Sequence, residues 1–274
     1  MEFNLLEKSH MKLVRGLRRA VWKVQNEFEI VEDGDKILVC LSGGKDSHTM
    51  LDMLVNIQNA RGVNFELIAI NLDQKQPGFP SHILPEYLDN FGITYKILEK
   101  NTYRIVQEKF DENATMCSLC SRLRRGTIYE YAKSIDANKI ALGHHREDVL
   151  ETFFLNLFFG GRLESMPPKY VTDDGQLTVI RPLIYCAESQ IKEYSELREF
   201  PIIPCNLCGS QPKLQRQIIK QMLNSWENEY PDRKEIIMTS LKNVHPSHLL
   251  DKKSFDFHSL FNGLNAEAFK LGYS

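Results

Sequence analysis

Ile37-Leu38-Val39-Cys40-Leu41-Ser42-Gly43-Gly44-Lys45-Asp46-Ser47 is the stretch on which the reading of this chain turns. Five apolar residues behind Asp35-Lys36 predict a short buried strand. Ser-Gly-Gly then breaks the run, and Met50, Leu51, Leu54, Val55 and Ile57 recur at helical spacing. The local order is therefore strand, glycine turn, helix. Adjacent glycines permit positive φ and close approach of the backbone to a ligand. A helix start beyond them aims unpaired N–H groups and a positive dipole end at that ligand, and Lys45 adds a full charge. Together these make an anion cradle, most economically one for phosphate. The G-x-x-x-x-G-K-[ST] and G-x-G-x-x-G spacings are both absent, so neither of the two commonest nucleotide loops is present. An ordinary strand-to-helix turn would use the same residue types.

Outward from this stretch, further apolar runs alternate with helical ones. Phe65–Ile70 ends in Asn71-Leu72-Asp73, and Thr94–Leu98 follows a helical segment from Leu84 to Phe91. Lys139–Gly143 delivers His144-His145-Arg146-Glu147-Asp148 onto a loop. Strands separated by helices at this spacing predict right-handed βαβ units and a parallel sheet covered on both faces. Ligands of such sheets lie beyond the carboxyl ends of the strands, where residues 42–47 and Asp73 fall. Val149–Phe159 is apolar around its circumference and is closed by Gly160-Gly161, which suits a core or a subunit interface and predicts a homodimer. A short hairpin is expected between Pro168 and Gly175, and Val179–Leu183 reads as the last strand, placed at a sheet edge by Pro182. Helical segments follow over 189–200, 214–226 and 233–244.

The predicted organisation is a helical extension over 1–34, an α/β nucleotide-binding domain over 35–200, and a helical region over 201–274. In the extension, Leu13, Val14, Leu17, Val21 and Val24 share one face, with Lys12, Arg15, Arg18, Arg19 and Lys23 elsewhere. That basic set reads equally as a solvated face and as an RNA-backbone contact. A net charge of −2 over 274 residues gives no global nucleic-acid signature, so RNA binding must rest on local patches. Nothing approaches the roughly 18 apolar residues of a membrane span. Met1-Glu2-Phe3-Asn4 has no apolar signal core, and a cytoplasmic protein is expected.

Six cysteines in a reducing compartment favour metal or redox chemistry over disulfides. Two C-x-x-C pairs, Cys117/Cys120 and Cys205/Cys208, stand too far apart for a local zinc ribbon but can meet in a folded α/β domain. Four thiolates suit structural zinc or an iron–sulfur cluster; a redox dithiol or plain buried cysteines are the other readings. Cys40 and Cys186, in or just after predicted strands, read as packed hydrophobes.

Ser-Gly-Gly-Lys-Asp-Ser after a buried strand resembles the loop of the PP-loop ATP pyrophosphatases (adenine nucleotide alpha hydrolase-like), which implies an α/β parallel-sheet fold and ATP cleaved between the α and β phosphates. Further along, residues 71–80, Cys117–Gly126, Ala141–Arg146 and Pro204–Pro212 occur with it in order. Over roughly residues 10 to 250 this set resembles the tRNA 2-thiocytidine synthetases within that superfamily. The resemblance implies ATP-dependent thiolation of cytidine 32 in a tRNA anticodon loop. It also implies one 4Fe–4S cluster per chain, held by Cys117, Cys120 and one of the second pair, placed at Cys208. Such a cluster would keep one iron open to carry sulfur, and a cysteine-desulfurase persulfide is the implied donor. Ser42, Gly43, Gly44 and Ser47 would hold the pyrophosphate end of ATP, and Lys45 would neutralise developing charge. Asp46, Asp73 or Asp148 would help place Mg2+. Gly143 and His144 would reach the nucleotide, His144 and His145 reading otherwise as a hydrogen-bonding loop. The catalytic set so implied is Cys117, Cys120, Cys208, Lys45 and Asp46. Glu147 stands where the resemblance leads one to expect Asp. Arg122, Arg124 and Arg125 would meet tRNA phosphates or form a solvated face. Other readings are a different PP-loop tRNA-modifying ligase and a zinc-stapled RNA-binding protein without catalysis.

Overall fold

The computed structural model describes residues 2–60, 62–75, 78–101, 116–203 and 212–258. The chain divides into two compact units, Met1–Met222 and Leu223–Ser274. The first unit carries helix α1 (Glu2–Phe28), strand β1 (Lys36–Cys40), α2 (Lys45–Gln58), β2 (Glu66–Asp73), α3 (Ile83–Phe91) and β3 (Tyr95–Glu99). Then follow α4 (Met116–Ser134), β4 (Lys139–Ala141), α5 (Arg146–Leu155), the antiparallel pair β5 (Lys169–Val171) and β6 (Thr178–Ile180), and α6 (Glu188–Leu197). Helix α7 (Pro212–Glu229) runs from the first unit into the second, which adds α8 (Arg233–Ser240).

The strands form one sheet in the order β3-β2-β1-β4-β6-β5. All neighbours are parallel except β5 and β6. Register is set by side-chain alternation along β1. Leu38 packs with Ile68, Ile70, Ile140 and, from α4, Ala132 on one face; Cys40, two residues on, joins that cluster. Ile37 and Val39 are fully buried as well, as a strand covered on both faces requires. Leu17, Val21 and Val24 of α1 are excluded from solvent and Leu13 nearly so, which stabilises the helix by roughly 1.5–3 kcal/mol per side chain. The predicted alternation of strand and helix is thus observed. The expected edge strand at Val179–Leu183 is not: β6 is flanked by β4 and β5, and Pro182 falls beyond it, where no ladder hydrogen bond is lost. The edge is β5, the one strand found between Pro168 and Gly175, and its hairpin partner is β6 itself rather than a second strand within that stretch. Helix α5 is buried at Val149, Leu150 and Phe154, then ends in a π-turn, Asn156–Gly160, and a left-handed cap at Gly161. Leu157, Phe158 and Phe159 on that turn are exposed.

Candidate active site

Strand order reverses between β1 and β4, and the two loops leaving their carboxyl ends open side by side. The first loop is residues 41–44. Gly43 sits at φ +83°, which favours glycine, and Ile203 closes over it: the Ile203 N–H donates to the Gly43 carbonyl at 2.9 Å. Gly44, extended, is the N-cap of α2. Ser47 pins the turn, donating from Oγ to the Gly44 carbonyl at 2.9 Å and accepting the Ser42 N–H at 3.2 Å. A buried histidine the sequence reading passed over, His48, faces the same carbonyl through Nδ1 at 3.0 Å and stacks on Phe200. Asn71 donates to the Leu41 carbonyl at 2.7 Å, tying the end of β2 to that of β1. The N–H groups of the first turn of α2 have no partners within the helix, so a held turn of this shape is a preformed anion seat.

The second loop follows β4. Gly143 comes so near α2 that a Cβ there would lie 3.2 Å from the backbone of Asp46 and Ser47. His145 then starts α5, its N–H bonded to Asp148 Oδ2 at 3.0 Å. Its ring lies among carboxylates: Nε2 is 3.5 Å from Asp148 and 3.8 Å from Asp46, and Nδ1 is 3.5 Å from Glu147. Burial works against the charged ring, but these carboxylates outweigh it and raise the pKa above 6.5. His144 points elsewhere, accepting from Arg181 Nε at 3.2 Å. Burial, then the guanidinium, push its pKa down to about 4. Glu147 is 5% exposed and accepts from Arg146 and from the Glu188 N–H. Burial acts to raise its pKa, but His145, Arg146 and that N–H hold it well below the usual carboxylate range. It serves the helix starts and is spent on them.

The expected set is therefore brought together in part. Ser42–Ser47, Gly143 and Asp148 converge, with Asp46 and Asp148 both within 4 Å of His145 Nε2. His144 faces Arg181, and Asp73 is held by the Lys75 N–H at 2.7 Å and its ammonium at 3.1 Å. Lys45 bonds Asp46 at 3.0 Å and lies 3.5 Å from Glu188, which takes Lys220 of α7 at 2.6 Å. His145, Asp148, Glu151, Glu188, Arg216 and Lys220 line a cavity of about 190 Å³ beside the loop. Glu188, Arg216 and Lys220 had no local signal in the sequence; only folding adds them. Among the described residues no group of three or more His, Cys, Asp or Glu is arranged to hold a metal ion. Asp46 pairs with Lys45 at 3.0 Å, and Asp148 accepts the His145 N–H at 3.0 Å.

Cys117 and Cys120 fall in α4, but their side chains, and the whole of 204–211 with Cys205 and Cys208, lie outside the described residues. So does the side chain of Arg122, whereas Arg124 and Arg125 are exposed. Cys40 and Cys186 are free thiols, as expected of packed residues, and burial pushes each up to about 12.

A doubly covered parallel sheet with a Ser-Gly-Gly-Lys-Asp-Ser cradle at its switch point defines a PP-loop protein, and a PP-loop domain model matches residues 15–225. The chain is 58% identical over 255 residues, 93% of either chain, to the tRNA-cytidine(32) 2-sulfurtransferase of Ectopseudomonas mendocina. It is 61% identical over 249 residues to the enzyme of that name from Cytophaga hutchinsonii, covering 91% of this chain and 87% of the other. The chain belongs to the tRNA-cytidine(32) 2-sulfurtransferase family. Among solved structures, the U34-tRNA thiolase NcsA of Methanococcus maripaludis with its [4Fe-4S] cluster superposes with a TM-score of 0.67 at 22% identity. That match covers 85% of this chain and 79% of the other, and shows the shared fold. No helix among the described residues is long and apolar enough to cross a membrane.

Proposed function

We propose that this chain is an ATP-dependent tRNA sulfurtransferase that converts cytidine 32 of the anticodon loop to 2-thiocytidine. The observation that carries the reading is the identity of about 60% with the named family along nearly the whole chain. The held Ser42–Ser47 cradle, with Lys45 at its rim, agrees with it.

The carbonyl oxygen at C2 of cytidine is a poor leaving group. It attacks the α-phosphorus of ATP, forming an O–P bond as the bond to the pyrophosphate breaks. Pyrophosphate develops negative charge, which the α2 N–H groups and Lys45 meet in a preorganised cradle. Asp46 and Asp148 would hold a Mg2+ that travels with the phosphates, which would supply charge neutralisation there. Sulfur at the sulfide level then adds at C2, and the oxygen departs with AMP. Persulfide from a cysteine desulfurase would deliver it with two electrons from a reductant. Cys117, Cys120 and Cys208 would hold one 4Fe–4S cluster, for which three thiolates are a fitting donor set; when bound, it supplies an iron with a free position for sulfur. The protein works in the cytoplasm as a homodimer, and the exposed Phe158 and Phe159 beside Leu157 suit such an interface.

The test is anaerobic purification, with iron, acid-labile sulfide and zinc measured per chain. Incubation with tRNA, Mg-ATP and sulfide follows, read as pyrophosphate release and 2-thiocytidine in the tRNA digest. About four irons per chain, tRNA-dependent pyrophosphate and thiolated nucleoside are expected. Stoichiometric zinc without iron, and no pyrophosphate, would overturn the reading.

A further inference from the structure

Away from the ATP cradle, α1 and α6 enclose a groove of about 610 Å³ lined by Lys8, Lys12, Arg15 and Arg19, with Gln190 and Glu193 on the opposite wall. The four cations stand at i, i+4, i+7 and i+11, one face of a helix, and the buried Leu13, Leu17, Val21 and Val24 take the other. All four are exposed, and none makes an ion pair or hydrogen bond with a described residue. Lys23, on the same helix, is by contrast paired with Glu27.

We infer that this groove is a docking surface for tRNA backbone phosphates. The inference rests on the sulfurtransferase reading, and it says where the substrate lies. Four like charges in one row, against a single carboxylate, repel one another at about 6 Å spacing. On a chain of net charge −2 such a row is a local field that asks for an anionic partner. The row is about 16 Å long, so the partner must present several negative charges in line, as a nucleic-acid strand does at roughly 3.4 Å per phosphate. The second wall places the groove with respect to the chemistry. Helix α6 begins at Glu188, 3.5 Å from Lys45 of the cradle, and reaches the groove at Gln190, about 3 Å further along its axis. A strand bound along α1 therefore lies next to the ATP loop.

The experiment is tRNA binding by the full-length protein as a function of salt, for wild type, Lys12→Gln/Arg15→Gln/Arg19→Gln and the control Lys23→Gln. Glutamine keeps helix propensity, and circular dichroism and ATP affinity check that fold and cradle are intact. Each lost phosphate contact should lower the slope of log K against log salt by about 0.7–0.9, so the triple variant should lose roughly 2–3 and the control almost nothing. An unchanged slope in the triple variant overturns the groove and leaves the sulfurtransferase reading standing. If wild type binds a poly-glutamate probe more tightly than tRNA at equal salt, and the triple variant loses that preference, the groove belongs to an acidic protein segment instead. A wild-type protein with no salt-dependent tRNA binding overturns the substrate reading and this inference together.

Discussion

The Ile203 N–H donates to the Gly43 carbonyl at 2.9 Å, and the Ile203 side chain fills the space beside the Gly43 Cα. The chain that runs on to Cys205 and Cys208 is thus anchored on the phosphate loop itself, 160 residues earlier in sequence.

Gly43→Ala should disable the loop. An alanine at φ +83° is strained by roughly 1–2 kcal/mol, and its Cβ would sit 3.0 Å from that of Ile203. We expect kcat/KM for ATP to fall at least about tenfold in a pyrophosphate-release assay. Adding Ile203→Ala keeps the Cβ there but removes Cδ1 and Cγ1, at 3.1 and 3.3 Å, so it should restore part of the loss. Strict additivity of the two substitutions would refute the packing argument.

Lys45 and Glu188 should differ in weight. Lys45→Ala removes the charge that meets the leaving pyrophosphate and should cost about 10²–10³ in kcat with the fold retained. Glu188→Gln weakens a partly exposed ion pair, worth up to about 1 kcal/mol, and should change kcat/KM by less than about tenfold. Steady-state kinetics at saturating Mg-ATP separates them.

The neighbouring histidines should titrate on opposite sides of 6.5. With its folded pKa raised, protonated His145 stabilises the fold below pH 6.5, and this is lost as pH rises through the raised value. With its folded pKa at about 4, His144 costs stability as pH falls from 6.5 toward 4. Urea midpoints across this range should show the deficit of His145→Gln shrinking as the solution becomes alkaline. That of His144→Gln should shrink as it becomes acidic. Parallel profiles for both variants would contradict the assignment.

Cysteine substitutions should fall into two groups. Cys117→Ser, Cys120→Ser and Cys208→Ser should each abolish iron binding and 2-thiocytidine formation in anaerobic preparations. Cys40→Ala removes a β1 thiol packed against the Leu38 cluster and should keep full iron content with a modest loss of stability, about 1 kcal/mol. Iron retained in Cys208→Ser but lost in Cys205→Ser would move the third ligand to Cys205.

The first layer of this protein was legible in its sequence because it is local. Apolar runs of strand length, helical spacing after Lys45 and two glycines in a turn specify strand, cradle and helix within some twenty residues, whatever the rest of the chain does. The paired cysteines suggest soft-ligand chemistry from spacing alone, and their side chains lie outside the described residues. Tertiary structure alone decided the rest. Pro182 looked like an edge marker, but pairing of β5 on β6 is a long-range choice, and it moved the edge. His144 and His145 are adjacent and alike in sequence. One meets Arg181 and the other Asp46, Glu147 and Asp148, and only that difference in neighbours drives their protonation apart. Glu188, Lys220 and Ile203 carry no motif; only the tertiary placement of α6, of α7 and of the segment ending at Ile203 brings them to the cradle. Spacing along a chain encodes what each segment becomes, while electrostatics and close packing at a site depend on distances that exist only after the segments meet.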